Sequence, residues 1–132
     1  MADEKKMKQA MQAYIDGFNR SDADAIVALY ADDATVEDPV GSPLKEGKAE
    51  IAAFYKMAIQ TGAKLTLAAP IRASHSNSAA MAFDVQLKMP PNMGGAKGVI
   101  RVIDVMTFDD DYRFTSMRAF WGPSDMDMQA AG

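Results

Sequence analysis

Apolar residues recur every three to four positions through the first half of the chain and every second position beyond about residue 62. Helices first and sheet second is the α+β pattern, in which helices cover one face of a curved sheet. Met7, Ala10, Met11, Tyr14 and Phe18 predict one face of a helix over about 3–20, with Tyr14 pointing inward. Ser21 followed by Asp24 reads as a cap for a short second helix carrying Ala25, Ile26, Leu29 and Tyr30. A third helix is predicted over about 48–59, burying Ile51, Phe54, Tyr55 and Ala58. Residues 34–38 alternate as a short strand that Asp38 closes, because Pro39 biases the residue before it toward extended backbone. Long antiparallel strands are expected near 63–75, 79–89, 97–108 and 112–121, with the residues from Ser124 frayed.

At 132 residues, one core and a single domain spanning 1–132 are expected. A hydrophobic share of 48% excludes a disordered chain. The formal net charge of −4 argues against a nucleic-acid partner, which needs clustered lysine and arginine. There is no cysteine, so disulfides, thiolate nucleophiles and cysteine-based zinc sites are excluded and a reducing cytoplasm is the expected compartment. The charged start resembles no secretory signal, and no apolar stretch of about 18 residues offers a membrane span.

The most informative carboxyl is Asp104, which on a strand shares its face with Ile100, Val102, Met106 and Phe108. Desolvation there disfavours the charged form, so a neutral Asp104 able to donate a hydrogen bond is one reading. A surface face or a structural hydrogen bond is the other. Asp38 and Glu37 fall on opposite faces by alternation, so they should not work as a pair, and a lone inward Asp38 is either a general base or a turn residue. Tyr14, Tyr30 and Tyr55 all fall on inward faces, and three buried phenols need partners, so a tyrosine network is expected. Met81, Phe83, Val85, Leu87 and Met89 share one strand face, and Met117, Ala119 and Trp121 another. Eleven methionines make soft apolar surfaces that suit either a core or a bulky apolar ligand. His75 is the single histidine, which rules out a multi-histidine metal cluster. The run Asp109–Asp111 lacks calcium-loop spacing, and Gly94–Gly98 lacks nucleotide-loop spacing.

The segment Tyr30-Ala31-Asp32-Asp33-Ala34-Thr35-Val36-Glu37-Asp38-Pro39-Val40-Gly41 resembles the signature of the bacterial Δ5-3-ketosteroid isomerases. Ile51–Tyr55, Ile71–His75, Ile103–Met106 and Ser116–Phe120 extend the resemblance over almost the whole chain. It implies a cone-shaped α+β domain like nuclear transport factor 2, with three N-terminal helices packed on a curved, mostly antiparallel sheet, usually as a homodimer. It implies further that Tyr14 and a protonated Asp104 form an oxyanion hole, that Asp38 is the base, and that a small steroid is isomerised with no metal, nucleotide or flavin cofactor. Tyr30 and Tyr55 fall where phenols support the catalytic tyrosine, and Trp121 where an indole contacts the base. Phe54, Met81, Phe83, Val85 and Met117 match substrate-binding positions. The loop 89–97 is longer than the resemblance implies. Other enzymes of this scaffold (dehydratase, epoxide hydrolase, polyketide cyclase) and a non-catalytic apolar-ligand binder are the competing readings.

Overall fold

A computed structural model describes residues 3–129. Among them are three helices, α1 (Glu4–Asn19), α2 (Ala23–Val27) and α3 (Gly47–Gln60), and seven strands: β1 (Tyr30–Glu37), β2 (Lys45–Glu46), β3 (Lys64–Leu67), β4 (Ser78–Lys88), β5 (Lys97–Phe108), β6 (Phe114–Phe120) and β7 (Met126–Gln129). The sheet runs β2-β1-β6-β5-β4-β3, antiparallel throughout except where β1 lies parallel to β6. Strand β7 pairs with the part of β5 that β6 leaves free. The chain is thus α+β, with helices on one face of an open, curved, mostly antiparallel sheet, as expected.

Local chemistry explains most element ends. Asp3 caps α1 by accepting from the Lys6 amide at 3.2 Å. Ser21 takes φ 59°, and the amides of Ser21 and Asp22 bond back to the Phe18 and Gly17 carbonyls, which closes α1 with a Schellman turn. Ser21 is consumed by that turn, so the cap of α2 passes to Asp22, whose Oδ1 accepts from the Ala25 amide at 3.0 Å, one residue later than the sequence pattern suggests. Tyr14 is on the buried face of α1 together with Met7, Met11, Ile15 and Phe18.

Three strand expectations need correction. Strand β1 begins at Tyr30 rather than 34, because a register shift between Tyr30 and Thr35 breaks the alternation and exposes Asp32 and Asp33. Strand β3 stops at Leu67, well short of 75; Pro70 brings no amide to the ladder, and only an isolated bridge at Arg72–Ala80 resumes it. The C-terminal segment is not frayed from Ser124: a 3₁₀ turn at Pro123–Asp125 feeds β7. Within loop 89–97, Pro91–Met93 forms a 3₁₀ turn and the Met89 amide bonds the Ala96 carbonyl at 2.8 Å.

Candidate active site

The concave side of the sheet, α1 and α3 enclose a cavity of about 310 Å³ walled mainly by apolar groups, among them Phe18, Phe54, Phe83, Val85 and Ile100. Among the polar side chains on this wall are Tyr14 from α1, Asp38 just past β1, and Asp104 from the middle of β5, joined by Tyr55, Thr61 and Trp121. The structure thus brings together the three residues on which the sequence reading depends.

Asp104 is 1% exposed, and neither of its oxygens has a hydrogen-bond partner among the described residues. Its strand face places it beside Val102 and Met106, both buried. Burial first, and the Asp38 charge second, push its pKa well above the ordinary carboxylate value. An ionised carboxylate with no partner is among the costliest groups a core can hold, so this burial favours the neutral acid, whose O–H would have no acceptor among the described residues.

The three buried phenols form a chain. Tyr55 donates to the Tyr14 oxygen at 3.1 Å, and the hydroxyls of Tyr30 and Tyr55 lie 2.5 Å apart. Since the one hydroxyl hydrogen of Tyr55 is spent on Tyr14, Tyr30 must donate to Tyr55. The order Tyr30→Tyr55→Tyr14 leaves the Tyr14 proton unspent at the cavity wall. Burial, followed by the nearby Asp104 carboxyl, pushes the Tyr14 pKa well above 10.0, so Tyr14 is a hydrogen-bond donor and not a phenolate. Phe114 packs edge-on against both Tyr14 and Tyr30, fixing the end rings.

Asp38 has a different environment. Trp121 Nε1 donates to its Oδ1 at 2.9 Å, and the Val40 amide bonds the Ala119 carbonyl at 2.8 Å, tying the loop to β6. Burial raises its pKa from 3.8, while the indole hydrogen bond and the Lys45 charge pull it back. Glu37 turns to the other face, where it accepts from the Gly41 amide and Arg118 Nε and is held below its ordinary value. The two adjacent carboxylates are therefore separate, as alternation implies.

Tyr55, Phe54, Phe83, Val85 and Trp121 are on the cavity wall, whereas Tyr30, Met81 and Met117 are not: they are buried in the core behind it. Met81, on β4, is the register partner of Asp104, and Met117, on β6, is that of Met106, so both pack beside the stretch of β5 that carries Asp104. Methionine supplies no wall residue among those described; the wall is aromatic and aliphatic, and the buried methionines fill core. Ile100 and Val102 were legible as wall residues from the alternation that places them on the face of Asp104, and Phe18 from its spacing to Tyr14. Thr61 and Ala63, in the turn after α3, carry no such signal.

Residues 11–117 match the SnoaL-like domain family. The chain belongs to the SnoaL-like family. Within this NTF2-like group, it is 41% identical over 121 residues to a steroid Δ-isomerase of Nocardioides simplex, covering 92% of this chain and 94% of that protein. It is 25% identical over 118 residues to the epoxide hydrolase LasB of Streptomyces lasalocidi, covering 89% of this chain and 42% of that protein. Among solved structures, the epoxide hydrolase/cyclase-like enzyme SalBIII, described for a role in pyran ring formation in the polyether salinomycin, superimposes with a TM-score of 0.89 at 30% identity, over 98% of this chain and 100% of that one. No described helix is long and apolar enough to cross a membrane.

Proposed function

We propose that this SnoaL-like chain is a steroid Δ-isomerase that shifts the double bond of Δ5-3-ketosteroids into conjugation by intramolecular proton transfer. The 41% identity to a steroid Δ-isomerase over most of both chains supports a steroid isomerase enzyme. The observation that carries the mechanism is the pairing of two unspent donors, the Asp104 acid and the Tyr14 phenol, with a carboxylate on the wall of one apolar cavity.

Asp38 takes a proton from the carbon between the 3-ketone and the double bond. The electron pair left behind delocalises as a dienolate whose charge rests on the former ketone oxygen. Asp104 and Tyr14 donate hydrogen bonds to that oxygen, and two such donors in a water-poor site offset the poor match between a carboxylate base and a carbon acid. Asp38, now neutral, returns the same proton to the far end of the dienolate, giving the conjugated enone. The two carboxyls hold opposite roles because their surroundings separate them: Asp38 keeps an indole donor and a nearby cation, and Asp104 has neither.

A homodimer is the assembly we infer. Ile103 and Phe120 are 50% and 40% exposed and face each other across β5 and β6, an apolar cross-strand pair that a second copy would cover. Sedimentation of wild type and Ile103→Asp tests this, with dimer becoming monomer as the expected result. The lack of cysteine fits a cytoplasmic protein.

The function is tested by mixing the purified chain with 5-androstene-3,17-dione, without added cofactor, and following conjugated-enone absorbance. Enzymatic conversion is expected. Steroid binding without conversion would support an apolar-ligand binder instead, and opening of an epoxide substrate with no enone formed would support the chemistry named for LasB and SalBIII.

A further inference from the structure

Strand β7 exists because β5 is longer than its neighbour. Strand β6 leaves β5 at the pair Ile103–Phe120, and β7 rejoins the same edge at Ile100–Met126. Trp121 is the first residue of the short segment between these two anchors. The segment is closed by its own turn, in which the Gly122 amide donates to Asp125 Oδ2 at 2.8 Å and the Asp125 amide to the Gly122 carbonyl at 2.9 Å. Ile100, the β5 residue to which β7 returns, shares the cavity wall with Trp121.

Gly98 makes the return fit. A Cβ there would stand 2.2 Å from Met128 Sδ and 2.6 Å from the Asp127 carbonyl oxygen. The thioether could swing aside, but the carbonyl belongs to the backbone of β7, so any side chain at 98 must push the strand away. An exposed ion pair, Arg101–Asp127 at 2.7 Å, joins the same two strands.

We propose that β7, seated against Gly98, is a latch that positions the Trp121 indole on Asp38, so that Gly98 and the 122–129 segment are positioning elements for the base. The proposal rests on Asp38 being that base. Without the second anchor, the segment that begins at Trp121 would lose its pairing to β5 and be held only from the Phe120 side. The indole is the one hydrogen-bond donor to Asp38 among the described residues. The other groups around Asp38 are Asp104 from β5 and Tyr14 from α1, both neutral, and Lys45 from β2, whose charge favours the carboxylate; Glu37 is turned away. Losing the indole bond removes an interaction that favours the ionised form, so the acid limb of activity should move up in pH.

The test compares wild type, Trp121→Phe, Gly98→Val and Asp125→Ala, the last loosening the turn at a residue outside the paired strands. Three readouts are taken: amide exchange of residues 126–129, fluorescence of the single tryptophan, and the pH dependence of kcat/KM on a 5-ene-3-ketosteroid. Trp121→Phe is expected to raise the acid limb by about one pH unit. Gly98→Val should speed exchange at 126–129, shift the fluorescence and move the limb in the same direction, and adding it to Trp121→Phe should move the limb no further. Asp125→Ala should do the same to a smaller degree. Fast exchange with an unmoved limb, or undisturbed amides in both latch variants, would overturn the latch. Failure of the base reading would appear separately, as an Asp38→Asn variant that keeps its turnover.

Discussion

Asp38 and Asp104 face one cavity from opposite kinds of backbone. Asp104 sits mid-strand, where both neighbouring strands are paired, and among the described residues nothing hydrogen-bonds its carboxyl, whose pKa burial pushes well above the ordinary value. Asp38 sits just past the end of β1, where the chain is free to turn and an indole from the end of β6 can meet it. In the proposed mechanism a strand interior makes a hydrogen-bond donor of a carboxyl, and a strand end keeps one as a base. Identical side chains acquire opposite tasks from what the backbone permits around them.

The sharpest way to break this contrast is to neutralise the base. General-base contributions are typically about 10²- to 10⁴-fold, so Asp38→Asn should lower kcat by that order. Asp104→Leu should lower kcat by about 10²- to 10³-fold, the usual worth of one oxyanion donor. The two variants should also diverge from wild type in stability. Because the folded pKa of Asp104 is raised, the native state holds its proton more tightly than the unfolded chain, whose value is about 3.9. Its contribution is fully present below that pH and is lost as pH rises toward the folded value. Urea melts of Asp104→Leu should therefore match or exceed wild type, with the advantage widening from pH 4.5 to pH 8; a marked loss of stability would mean that Asp104 is structural.

Smaller effects sharpen the picture. Tyr55→Phe removes the donor to Tyr14 but leaves the Tyr14 proton in place, so kcat should fall only about 3- to 10-fold, the worth of one hydrogen bond. A loss as large as that of Asp104→Leu would show that Tyr55, not Tyr14, reaches the substrate oxygen. Wild-type kcat/KM should fall as pH drops through the Asp38 pKa, above its ordinary 3.8. Lys45→Gln should move that limb upward by less than about half a unit, because a partly exposed cation is screened by water.

Much of this was legible from residue order, for definite reasons. The helix face of Tyr14 and the strand face of Asp104 are set by backbone period, which the apolar neighbours report directly. What stayed hidden depends on distant segments. Nothing near Met126 announces a strand; β7 forms because β5 outruns β6 and offers an edge there. The start of β1 was masked by Asp32 and Asp33, which alternate with nothing because the register shifts beneath them. Met81 and Met117 are buried and outside the cavity lining, because one strand face serves both core and cavity and only depth decides which.

Asp38 as the base is tested most directly by single-turnover conversion of 5-androstene-3,17-dione by Asp38→Asn and wild type at equal, saturating enzyme, with steroid binding confirmed for both. With Asp38 as the base, Asp38→Asn should bind the steroid but form the conjugated enone at least about 10²-fold more slowly. Conversion by Asp38→Asn at near the wild-type rate would contradict it.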